Sequence, residues 1–431
     1  MGLLLDGLYL TAGLALAPRV LYRVAFQGRY RGGLRQRLGL IEPPGHTGTC
    51  IWLHAVSLGE VNASRTIVEA LKYACPACRI VISSTTDTGY MRARALFAKE
   101  HHVTYMPLDI SFCIRQAFDR IRPSLCLLME LEVWPHMAAE AYKRSIPIVV
   151  INGRISDRSY RRYLAARPFL RGTFSRLTLA LVQTDQYAQR FISLGCSPEK
   201  VAVTGLLKFD TAQLDQQVEG ARELACQLGL DGARVWVAGG TGDGEEAQVL
   251  EAYRYLKEDT RLAGLRLVIV PRKPERFDAV ADLISAKGLP LARYSLIKQG
   301  KTCPAPGAVI LGDTIGDLRR FYSLAAVIFV GRSLVPMGGS DMIEAAAFGR
   351  PTIFGPHIEN FRQPAQLLLA ADGAIQVKDA RGLADAVARC LLDEHLAKSI
   401  GQRARQTIRD QQGATNRTIA HIIPLLTRKG H

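Results

Sequence analysis

The chain has 431 residues, of which 48% are hydrophobic and 22% are charged. These values lie close to the averages for globular proteins, so they exclude wholesale disorder, collagen-like repeats and a polytopic membrane protein. The length alone predicts about two or three domains. The net charge is +16, and most of the excess precedes Gly205, where 26 basic residues stand against 14 acidic ones. The N-terminal part is therefore expected to meet an anionic partner.

The motif content indicates which kind of anionic partner to expect, and the cysteines indicate the cellular compartment. The sequence has no RNA-module signature and no zinc-finger spacing, and only 7% of its residues are aromatic, so nucleic acid is the weaker candidate. The nine cysteines, an odd number, are spread from Cys50 to Cys390. They indicate reduced thiols in a cytosolic setting, including Cys75 and Cys78, which join a predicted helix to a predicted strand.

The first 18 residues favour a membrane as the anionic partner. Met1–Pro18 is apolar apart from Asp6 and Thr11. A cluster of arginines follows: Arg19, Arg23, Arg29, Arg31, Arg35 and Arg37. A cleavable signal peptide carries its charge before the apolar run, whereas here the order is reversed. The segment predicts a single short anchor or an interfacial helix, with the arginines on the cytoplasmic side; the alternative is an ordinary core helix followed by a basic loop.

From residue 50 onward, short apolar runs alternate with helical patterns. Helices are predicted at Val61–Tyr73, Thr88–Ala98 and Pro135–Arg144. Strands are predicted at Ile51–His54, Ile80–Ser83, Val103–Met106, Ser124–Met129, Ile146–Ile151, Leu179–Val182 and Val201–Val203. This alternation predicts a doubly wound parallel sheet.

A second series begins after Asp210 and predicts a second domain of the same kind. Its strands are predicted at Val235–Ala238, Leu267–Val270, Val309–Leu311, Val327–Val330 and Thr352–Phe354. Two Rossmann-like domains in tandem would leave a cleft, and ligands would bind there beyond the C-terminal ends of the strands. The predicted limits are an anchor with a basic segment at 1–45, a first domain at 46–205, a linker at 206–217, a second domain at 218–395, and C-terminal helices at 396–431 that could pack back on the first domain.

The first candidate site lies between the first strand and the first helix. In the string Trp52–Glu60, the carboxylate of Glu60 would stand at the mouth of the sheet, where it could accept a proton from a hydroxyl group. An acidic residue in a first helical turn also complements the helix dipole, and taken alone that interpretation is the stronger one. His54 has the same ambiguity, and a buried, hydrogen-bonded histidine is the expected state.

An acidic pair follows the strand Leu125–Met129. Residues i and i+2 of a strand point the same way, so Glu130 and Glu132 are expected side by side at the carboxyl edge of the sheet. Ionised carboxylates in such a place are rarely structural, although one could pair with Arg154 or Arg158. The loop that holds both arginines offers donors suited to phosphate, or it is a solvated basic loop.

The second domain offers four turns at strand ends. Gly239–Gly244 could let a phosphate or a sugar approach the backbone, or it is a plain tight turn. Pro271–Arg276 puts cations at the sheet edge, and Gly312–Leu318 is a strand-to-helix turn. Gly338–Glu344 opens a helix whose amides and Glu344 could meet a phosphate and ribose hydroxyls. Singly, the last three are no more than ordinary turn and cap chemistry.

Taken together, these motifs resemble those of the Kdo transferases, which transfer 3-deoxy-manno-octulosonate (Kdo) from CMP-Kdo to the lipid A precursor. The matching strings run in order over about 300 residues, so the resemblance is far more specific than any one motif. They are His54–Glu60, Ser84–Gly89, Glu130–Pro135, Asn152–Ser159, Leu207–Asp210, Gly244–Glu246, Pro271–Phe277, Gly312–Leu318, Gly338–Glu344 and Gly355–Phe361. Among the differences, Ser340-Asp341 stands where the family has His-Asn.

The resemblance implies an α/β fold of GT-B type, with two Rossmann-like domains facing across a cleft and an N-terminal membrane-associated helix. It implies an inverting, metal-independent glycosyltransferase of lipopolysaccharide biosynthesis that needs no cofactor. The donor would be CMP-Kdo and the acceptor the anionic tetraacyldisaccharide bisphosphate. The enzyme would act on the membrane surface, at the cytoplasmic face of the cell inner membrane, and nucleic acid is not an expected partner.

Residue by residue, the resemblance makes Glu60 the catalytic base and makes Glu130 and Lys208 the charged pair that stabilises the transition state. The implied CMP site consists of Pro271, Arg272, Ile315, Gly316, Asp317, Asp341, Met342, Ile343 and Glu344. Two alternatives stay open. One is another GT-B sugar-nucleotide transferase or epimerase, which would not need a basic first domain facing a membrane. The other is a membrane scaffold without catalysis, against which the three catalytic candidates argue.

Overall fold

The computed structural model of the chain describes Gly7, Gly45 and residues 32–43, 48–215 and 217–427. The described residues form two compact units. The first unit consists of those up to Thr211 together with those from Gln412 onward, and the second is Ala212–Gln411. In the order of the chain, the second unit is thus inserted into the first. The domain limits predicted from the sequence stay predictions.

The first unit is built on a sheet of seven parallel strands. They are β1 (Cys50–His54), β2 (Arg79–Ser84), β3 (His102–Tyr105), β4 (Leu125–Met129), β5 (Ile148–Gly153), β6 (Leu179–Val182) and β7 (Val201–Val203). Their order in the sheet is β3-β2-β1-β4-β5-β6-β7. Trp52 of β1 packs into one core cluster, whereas its neighbours Ile51 and Leu53 pack into another. The sheet is therefore buried on both faces, as parallel sheets are, and this explains why its strands are near-continuous apolar runs.

Eight helices connect these strands or precede them among the residues described. They are α1 (Leu34–Arg37), α2 (Leu58–Ala74), α3 (Asp87–Phe97), α4 (Ser111–Ile121), α5 (Pro135–Lys143), α6 (Asp157–Ala165), α7 (Arg167–Ser175) and α8 (Asp185–Leu194). Four of them begin at a Ser or Thr whose side chain accepts a backbone N–H of the first turn: Ser57, Thr86, Ser156 and Thr184. Such caps satisfy donors that have no partner inside the helix, and they set where each helix starts. Two short 3-10 turns, Pro198–Lys200 and Leu207–Thr211, flank β7.

The second unit repeats the plan with a second sheet of seven parallel strands. Its strands are β8 (Val235–Thr241), β9 (Arg266–Pro271), β10 (Leu291–Arg293), β11 (Val309–Leu311), β12 (Val327–Val330), β13 (Thr352–Phe354) and β14 (Ala374–Gln376). Its helices are α9 (Ala221–Gln227), α10 (Glu245–Glu258), α11 (Phe277–Ala286), α12 (Tyr294–Lys298), α13 (Leu318–Leu324), α14 (Met342–Ala347), α15 (Arg362–Ala370), α16 (Ala380–Leu392) and α17 (Glu394–Gln411). The strand order is β10-β11-β9-β8-β12-β13-β14.

All twelve strands predicted from the sequence are present, so two doubly wound parallel sheets are confirmed. The two strands that were not predicted, β10 and β14, lie at the two edges of the second sheet. Each has only three residues, and one of those of β10 is an arginine. Runs of this length carry no periodicity that would separate a strand from a loop.

The short helix α1 docks on the end of β3 through Arg37. The Arg37 side chain is only 8% exposed, and its guanidinium lies 4.4 Å from the centroid of the Tyr105 ring. It donates a hydrogen bond to the carbonyl of Thr85 (2.9 Å) and lies 3.7 Å from the carboxylate of Asp87. Arg37 is therefore part of the folded first unit, whereas Arg35 is exposed.

The predicted membrane anchor lies outside the described residues. Of Met1–Pro18 only Gly7 is described, and the arginines up to Arg31 are not. Among the helices that the structure describes, none is both long and apolar enough to cross a bilayer.

Two cysteines depart from the expectation of reduced thiols. Cys75 and Cys78 form a disulfide between the end of α2 and the start of β2, with their Cα atoms 5.3 Å apart. The other seven cysteines are free thiols, and five of them are buried. The Cys-x-x-Cys spacing alone does not distinguish these two states.

The C-terminal helix, Ala414–Thr427, belongs to the first unit and packs against α2. Its Ile422 is fully buried in the same core cluster as Val61 of α2. Asp210 accepts hydrogen bonds from the backbone N–H groups of Gly413 (2.7 Å) and Thr415. Those donors lie at the start of the helix, where no intrahelical acceptor is available, so Asp210 caps the helix from a distant part of the chain.

Replacing Asp210 by Ala should loosen this helix. Two hydrogen bonds to a charged acceptor would be lost, and we expect the free energy of unfolding of the first unit to fall by about 1.5–3 kcal/mol. Hydrogen–deuterium exchange of the peptide 412–427 measures the effect directly. Asp210→Asn keeps one acceptor oxygen and should lose less. Wild-type protection in the Ala variant would contradict the capping role.

Candidate active site

Glu60 is held in place by the start of its own helix. Ser57-Leu-Gly-Glu60 has the spacing of a capping box, in which a Ser and a Glu three residues apart satisfy the first N–H groups of a helix. The Ser57 hydroxyl accepts from the Glu60 N–H (3.4 Å) and donates to one carboxylate oxygen of Glu60 (2.8 Å). The other oxygen accepts from the N–H of Val56 (3.0 Å). The carboxylate is partly exposed and has one fixed orientation.

The loop before α2 is fixed to the end of β2. The carbonyl of Val56 accepts from the hydroxyls of Ser84 (3.0 Å) and Thr86 (2.8 Å). His54 is fully buried, with its Nδ1 3.0 Å from Oγ of Ser83. Burial lowers the pKa of His54 to about 4, so its ring is neutral near pH 7. It is the buried, hydrogen-bonded histidine that was expected.

The acidic pair after β4 lies in a turn and not on the strand. β4 ends at Met129, and Glu130 has a left-handed backbone conformation with φ 55°. The Glu130 N–H donates to the carbonyl of Ile151 (3.0 Å), and the Glu132 N–H turns back to the carbonyl of Met129 (3.3 Å). The prediction that Glu130 and Glu132 project side by side from a strand is therefore wrong. The turn nevertheless keeps both residues at the carboxyl edge of the sheet.

The two carboxyl groups of this turn lie in the electrostatic field of Glu60. Burial raises the pKa of Glu130 to about 7; the guanidinium of Arg154, 3.2 Å from a carboxylate oxygen, opposes the rise, and the charge of Glu60 adds to it. Burial raises the pKa of Glu132 to about 7 as well, and the charges of Glu60 and Glu130 contribute. Because β1 and β4 are neighbours, the loops after them meet, and three carboxyl groups gather at one edge.

Lys208 lies in the 3-10 turn Leu207–Thr211, which packs against α2. The turn is attached to β5, because the N–H of Leu207 donates to Oδ1 of Asn152 (3.2 Å). Asn152 is buried, and its carbonyl accepts from the side-chain amide of Gln183 (3.0 Å). The side chain of Asn152 thus holds the Lys208 turn in place.

The residues expected to bind CMP lie at the carboxyl edge of the second sheet. Pro271 ends β9, and the N–H of Arg272 donates to the carbonyl of Thr241 at the end of β8 (3.0 Å). The turn Ile315–Asp317 follows β11, and Asp341–Glu344 follows β12 after a loop. Since β11, β9, β8 and β12 are consecutive neighbours in the sheet, all three segments share one edge.

The side chains of these segments differ in their exposure and in the hydrogen bonds that they already make within the protein. Ile315 is 81% exposed. Asp341 caps α14 by accepting from the N–H of Ile343 (3.1 Å), a bond that an Asn could equally accept. The carboxylate of Asp317 is buried and has three partners of its own: the Thr314 hydroxyl (2.7 Å), Lys298 Nζ (3.2 Å) and the Arg320 guanidinium (2.9 Å). Burial alone would raise the pKa of Asp317, but these three groups lower it overall, so the carboxylate is ionised and structural.

Part of the glycine-rich turn Gly239–Gly244 is occupied by internal contacts. β8 continues to Thr241, so Gly239 and Gly240 belong to the strand. The N–H of Gly242 donates to the side chain of Glu245 (3.1 Å). The Gly242 amide is thus occupied by an internal carboxylate and is not available to a ligand, and phosphate or sugar binding at this turn stays a prediction.

No sequence pattern indicates Tyr322, which lies beneath the expected CMP site. Its phenol is fully buried against Gly239, where an added Cβ would lie 2.4 Å from the phenol oxygen. Burial raises the pKa of Tyr322 well above its usual range; the charges of Glu344 and Asp341 add to the rise, and Arg272 opposes it. The phenol therefore lies near two of the three expected segments. A tyrosine on the buried face of a helix resembles any core residue, which is why the sequence does not reveal it.

Relatives of known name match almost the whole chain. The family model of the 3-deoxy-D-manno-octulosonic-acid transferases, or Kdo transferases, matches residues 32–211. A 3-deoxy-D-manno-octulosonic acid transferase of Haemophilus influenzae is 32% identical, over 93% of this chain and 93% of its own length. The chain belongs to the Kdo transferase family. A Kdo transferase of Bordetella pertussis is also 32% identical, over 96% of this chain and 97% of its own.

A solved structure supports the fold class of this Kdo transferase. A glycosyltransferase of Rickettsia africae superposes with a TM-score of 0.59, covers 89% of this chain and 100% of its own, and is 14% identical. At that identity the likeness shows the fold alone, and the predicted α/β class of GT-B type is confirmed. As a member of the Kdo transferase family, the chain is a glycosyltransferase that uses a sugar-nucleotide donor and an acceptor.

Glu132→Gln should flatten the pH dependence of stability between about pH 4.5 and 7. A carboxyl group whose pKa is higher in the folded state holds its proton more tightly when folded. Its stabilisation is complete below the unfolded pKa and is lost as the pH rises through the folded pKa. A rise from 4.5 to about 7 corresponds to roughly 3 kcal/mol of unfolding free energy.

Equilibrium urea unfolding at several pH values measures this slope. The Gln variant should lose less stability than wild type across the interval, because its side chain has no proton to release. Glu69→Gln, which changes an exposed glutamate of α2, should keep the wild-type slope. Equal slopes for wild type and Glu132→Gln would contradict the raised pKa.

Proposed function

We propose that this Kdo transferase moves Kdo from CMP-Kdo to the tetraacyldisaccharide bisphosphate precursor of lipid A. Family membership supports the donor and the transferred sugar. The observation in this chain that carries the proposal is the gathering of Glu60, Glu130 and Glu132 at one sheet edge. Carboxyl groups that lie close together, placed where ligands of such sheets bind, suit proton transfer from a hydroxyl group.

Glu60 acts as the general base. The acceptor hydroxyl has a high pKa and must lose its proton as its oxygen attacks the anomeric carbon of Kdo. The new C–O bond forms while the bond from that carbon to the phosphate oxygen breaks, CMP leaves, and the proton passes to Glu60. A single displacement of this kind inverts the configuration. The two hydrogen bonds that orient the Glu60 carboxylate keep it in one position, which favours a defined approach of the hydroxyl.

Glu130 and Lys208 stabilise charge that develops during the transfer. The anomeric carbon acquires oxocarbenium-like positive charge, which an ionised Glu130 would offset. Its pKa of about 7 makes that ionisation depend on Arg154, because loss of this guanidinium would raise the pKa further. Lys208 and backbone amides meet the charge of the leaving phosphate. The remaining contacts to CMP come from Arg272, the turn Ile315–Asp317 and Asp341–Glu344 of the second unit.

The acceptor is an anionic lipid, and the first unit has a surface that suits it. α6 has no buried residue, and α7 follows it directly. Phe169 of α7 is 81% exposed and Leu164 is 43% exposed. The two helices carry five exposed arginines: Arg158, Arg161, Arg162, Arg167 and Arg171. Exposed apolar side chains among cations are typical of helices that lie in an anionic membrane interface, so the proposal includes the cytoplasmic face of the inner membrane, with or without an N-terminal anchor.

The reaction is tested most directly by Glu60→Gln. Gln keeps the acceptor for the Ser57 hydroxyl but cannot take a proton, and general-base contributions are typically about 10²–10⁴-fold. We expect Kdo transfer, followed by mass spectrometry of the lipid product, to fall by at least that range. Stability should change by no more than about 1 kcal/mol, since only the bond from Val56 is lost.

Glu69→Gln is the matched control on the same helix, because Glu69 is exposed and pairs only with Arg65 at the surface. It should leave turnover and stability near wild type. Near-normal transfer by a normally folded Glu60→Gln variant would eliminate Glu60 as the base and direct attention to Glu130 and Glu132.

Membrane association is tested by changing α6 and α7. The variant Arg161→Ala/Arg162→Ala/Phe169→Ser removes two cations, each worth about 1 kcal/mol at an anionic surface, and one exposed aromatic ring. Binding to vesicles that contain phosphatidylglycerol should weaken at least about tenfold in a flotation assay. Tyr73→Ser, which removes a ring that is 90% exposed near the end of α2, is the control and should bind normally. Unchanged flotation of the triple variant would contradict the assignment of this surface.

A further inference from the structure

Glu245, the first residue of α10, is a buried carboxylate that accepts hydrogen bonds from four backbone N–H groups. Its side chain is fully buried. One carboxylate oxygen accepts from the N–H groups of Ser333 (2.8 Å) and Leu334 (2.9 Å). The other accepts from the N–H groups of Gly242 (3.1 Å) and Arg332. Four such bonds join the exit of β8 to the loop that follows β12, and they satisfy a charge that would otherwise be costly to bury.

That loop, residues 331–341, has a backbone that its surroundings must hold in shape. Arg332, Gly338 and Gly339 have φ values of 59°, 82° and 83°. For Arg332 the left-handed conformation is strained, and such residues persist only where neighbouring contacts fix them. The N–H of Arg332 itself is one of the four that bind Glu245. At Gly338 the left-handed backbone favours glycine over any residue with a side chain.

The far end of the loop leads directly into the donor segment. The N–H of Gly339 donates to the carbonyl of Arg332 (2.8 Å), and the N–H of Ser340 donates to the carbonyl of Gly331 (2.9 Å). The Ser340 hydroxyl donates to the carbonyl of Gly240 on β8 (2.7 Å). The next residue is Asp341, which starts α14. The contacts that fix residues 331–334 therefore also fix the position of Asp341–Glu344.

We propose that Glu245 is a positioning residue for the sugar-nucleotide donor, which it serves by holding the loop 331–341 in the shape that presents Asp341–Glu344. This inference rests on the proposed function, since it takes that segment as part of the CMP site. Glu245 itself does not touch the nucleotide. Its carboxylate accepts from four backbone N–H groups, as a bound anion would, and it links the segment after β8 to the segment after β12.

Glu245→Gln is a selective perturbation of this arrangement. A carboxylate presents acceptors on both oxygens, whereas an amide presents an acceptor on one side and two N–H donors on the other. Whichever way the Gln side chain is turned, two backbone N–H groups face an NH₂ group, and the loop has to move. The volume of the side chain hardly changes, so the effect does not come from a cavity.

The experiment uses the full chain in detergent with CMP as the probe, measured by calorimetry, followed by steady-state kinetics. Glu245→Gln should weaken CMP binding about ten- to a hundredfold, the range for losing hydrogen bonds to a charged group. The KM for CMP-Kdo should rise in parallel, while the KM for the lipid acceptor and kcat at saturating donor stay near wild type. A residue with a merely structural role would not separate the two substrates.

Two control variants belong to the same experiment. Glu344→Ala removes a proposed direct contact and should weaken CMP binding without the loop change. Asp379→Ala removes an exposed helix cap elsewhere in the donor unit and should lower the melting temperature while CMP affinity is unchanged. If Glu245→Gln shows no cooperative unfolding, Ser340→Ala takes its place, because it releases the same loop from Gly240; it should weaken CMP binding several-fold.

The outcomes separate the inference from the proposed function. A wild-type chain that does not bind CMP contradicts the proposed function. Wild-type CMP affinity in Glu245→Gln, or in Ser340→Ala where that variant is used, overturns the positioning role. If CMP binding is weakened in Glu344→Ala at the same time, the proposed function still stands. Equal losses for donor and acceptor in Glu245→Gln also overturn it.

Discussion

The parallel pairing of β1 with β4 is the constraint on which the candidate active site depends. The two strands run side by side with His54 opposite Leu128. In the chain they are separated by β2, β3 and the helices α2, α3 and α4. Parallel strands end at the same edge, so the residues after β1 and after β4 must meet. Glu60, Glu130 and Glu132 meet there for that reason. Burial raises the pKa values of Glu130 and Glu132, and the charge of Glu60 adds to both rises.

Glu60 and Glu245 both lie in the first turn of a helix, but their carboxylates have different surroundings. Glu60 accepts two hydrogen bonds from its own loop and keeps part of its carboxylate exposed at the sheet edge. Glu245 accepts four from two separate loops and is wholly enclosed. The first arrangement orients a carboxylate that can still meet a ligand. In the second, both carboxylate oxygens accept two backbone N–H groups each, so the side chain holds the two loops together and does not face a ligand.

Much of the fold could be predicted from the sequence because its signals are strong. The strands are continuous apolar runs such as Leu125–Met129, and helices such as the one predicted at Val61–Tyr73 have apolar residues at helical spacing. The predictions failed where the outcome depends on non-local contacts. Glu130 leaves the strand because its left-handed turn closes against Ile151 of β5, and nothing in the local string shows that contact. Asp317 turns inward because Lys298, from another helix, is there to meet it.

The same limit explains how far the site itself could be predicted. Matching motifs along the chain identified the segments that the sheets bring to their carboxyl edges. They did not indicate which side chains already have partners, as Asn152 and Asp317 do, or that Tyr322 lies near the segments expected to bind CMP. Such assignments depend on the packing of residues far apart in sequence, and a single sequence does not encode them in any pattern that can be read locally.

The first unit is discontinuous in the chain, and this has a consequence for biosynthesis. The helix Ala414–Thr427 completes the core around α2, the helix that carries Glu60, but it leaves the ribosome only after the whole of Ala212–Gln411 has been made. At translation rates of roughly 5–20 residues per second, the first unit waits some tens of seconds with part of its apolar core uncovered. The inserted unit, by contrast, has all its strands within one continuous stretch. A nascent chain would therefore hold a complete second unit before the first unit can close, and chaperone contact during that interval would fall on the face of α2.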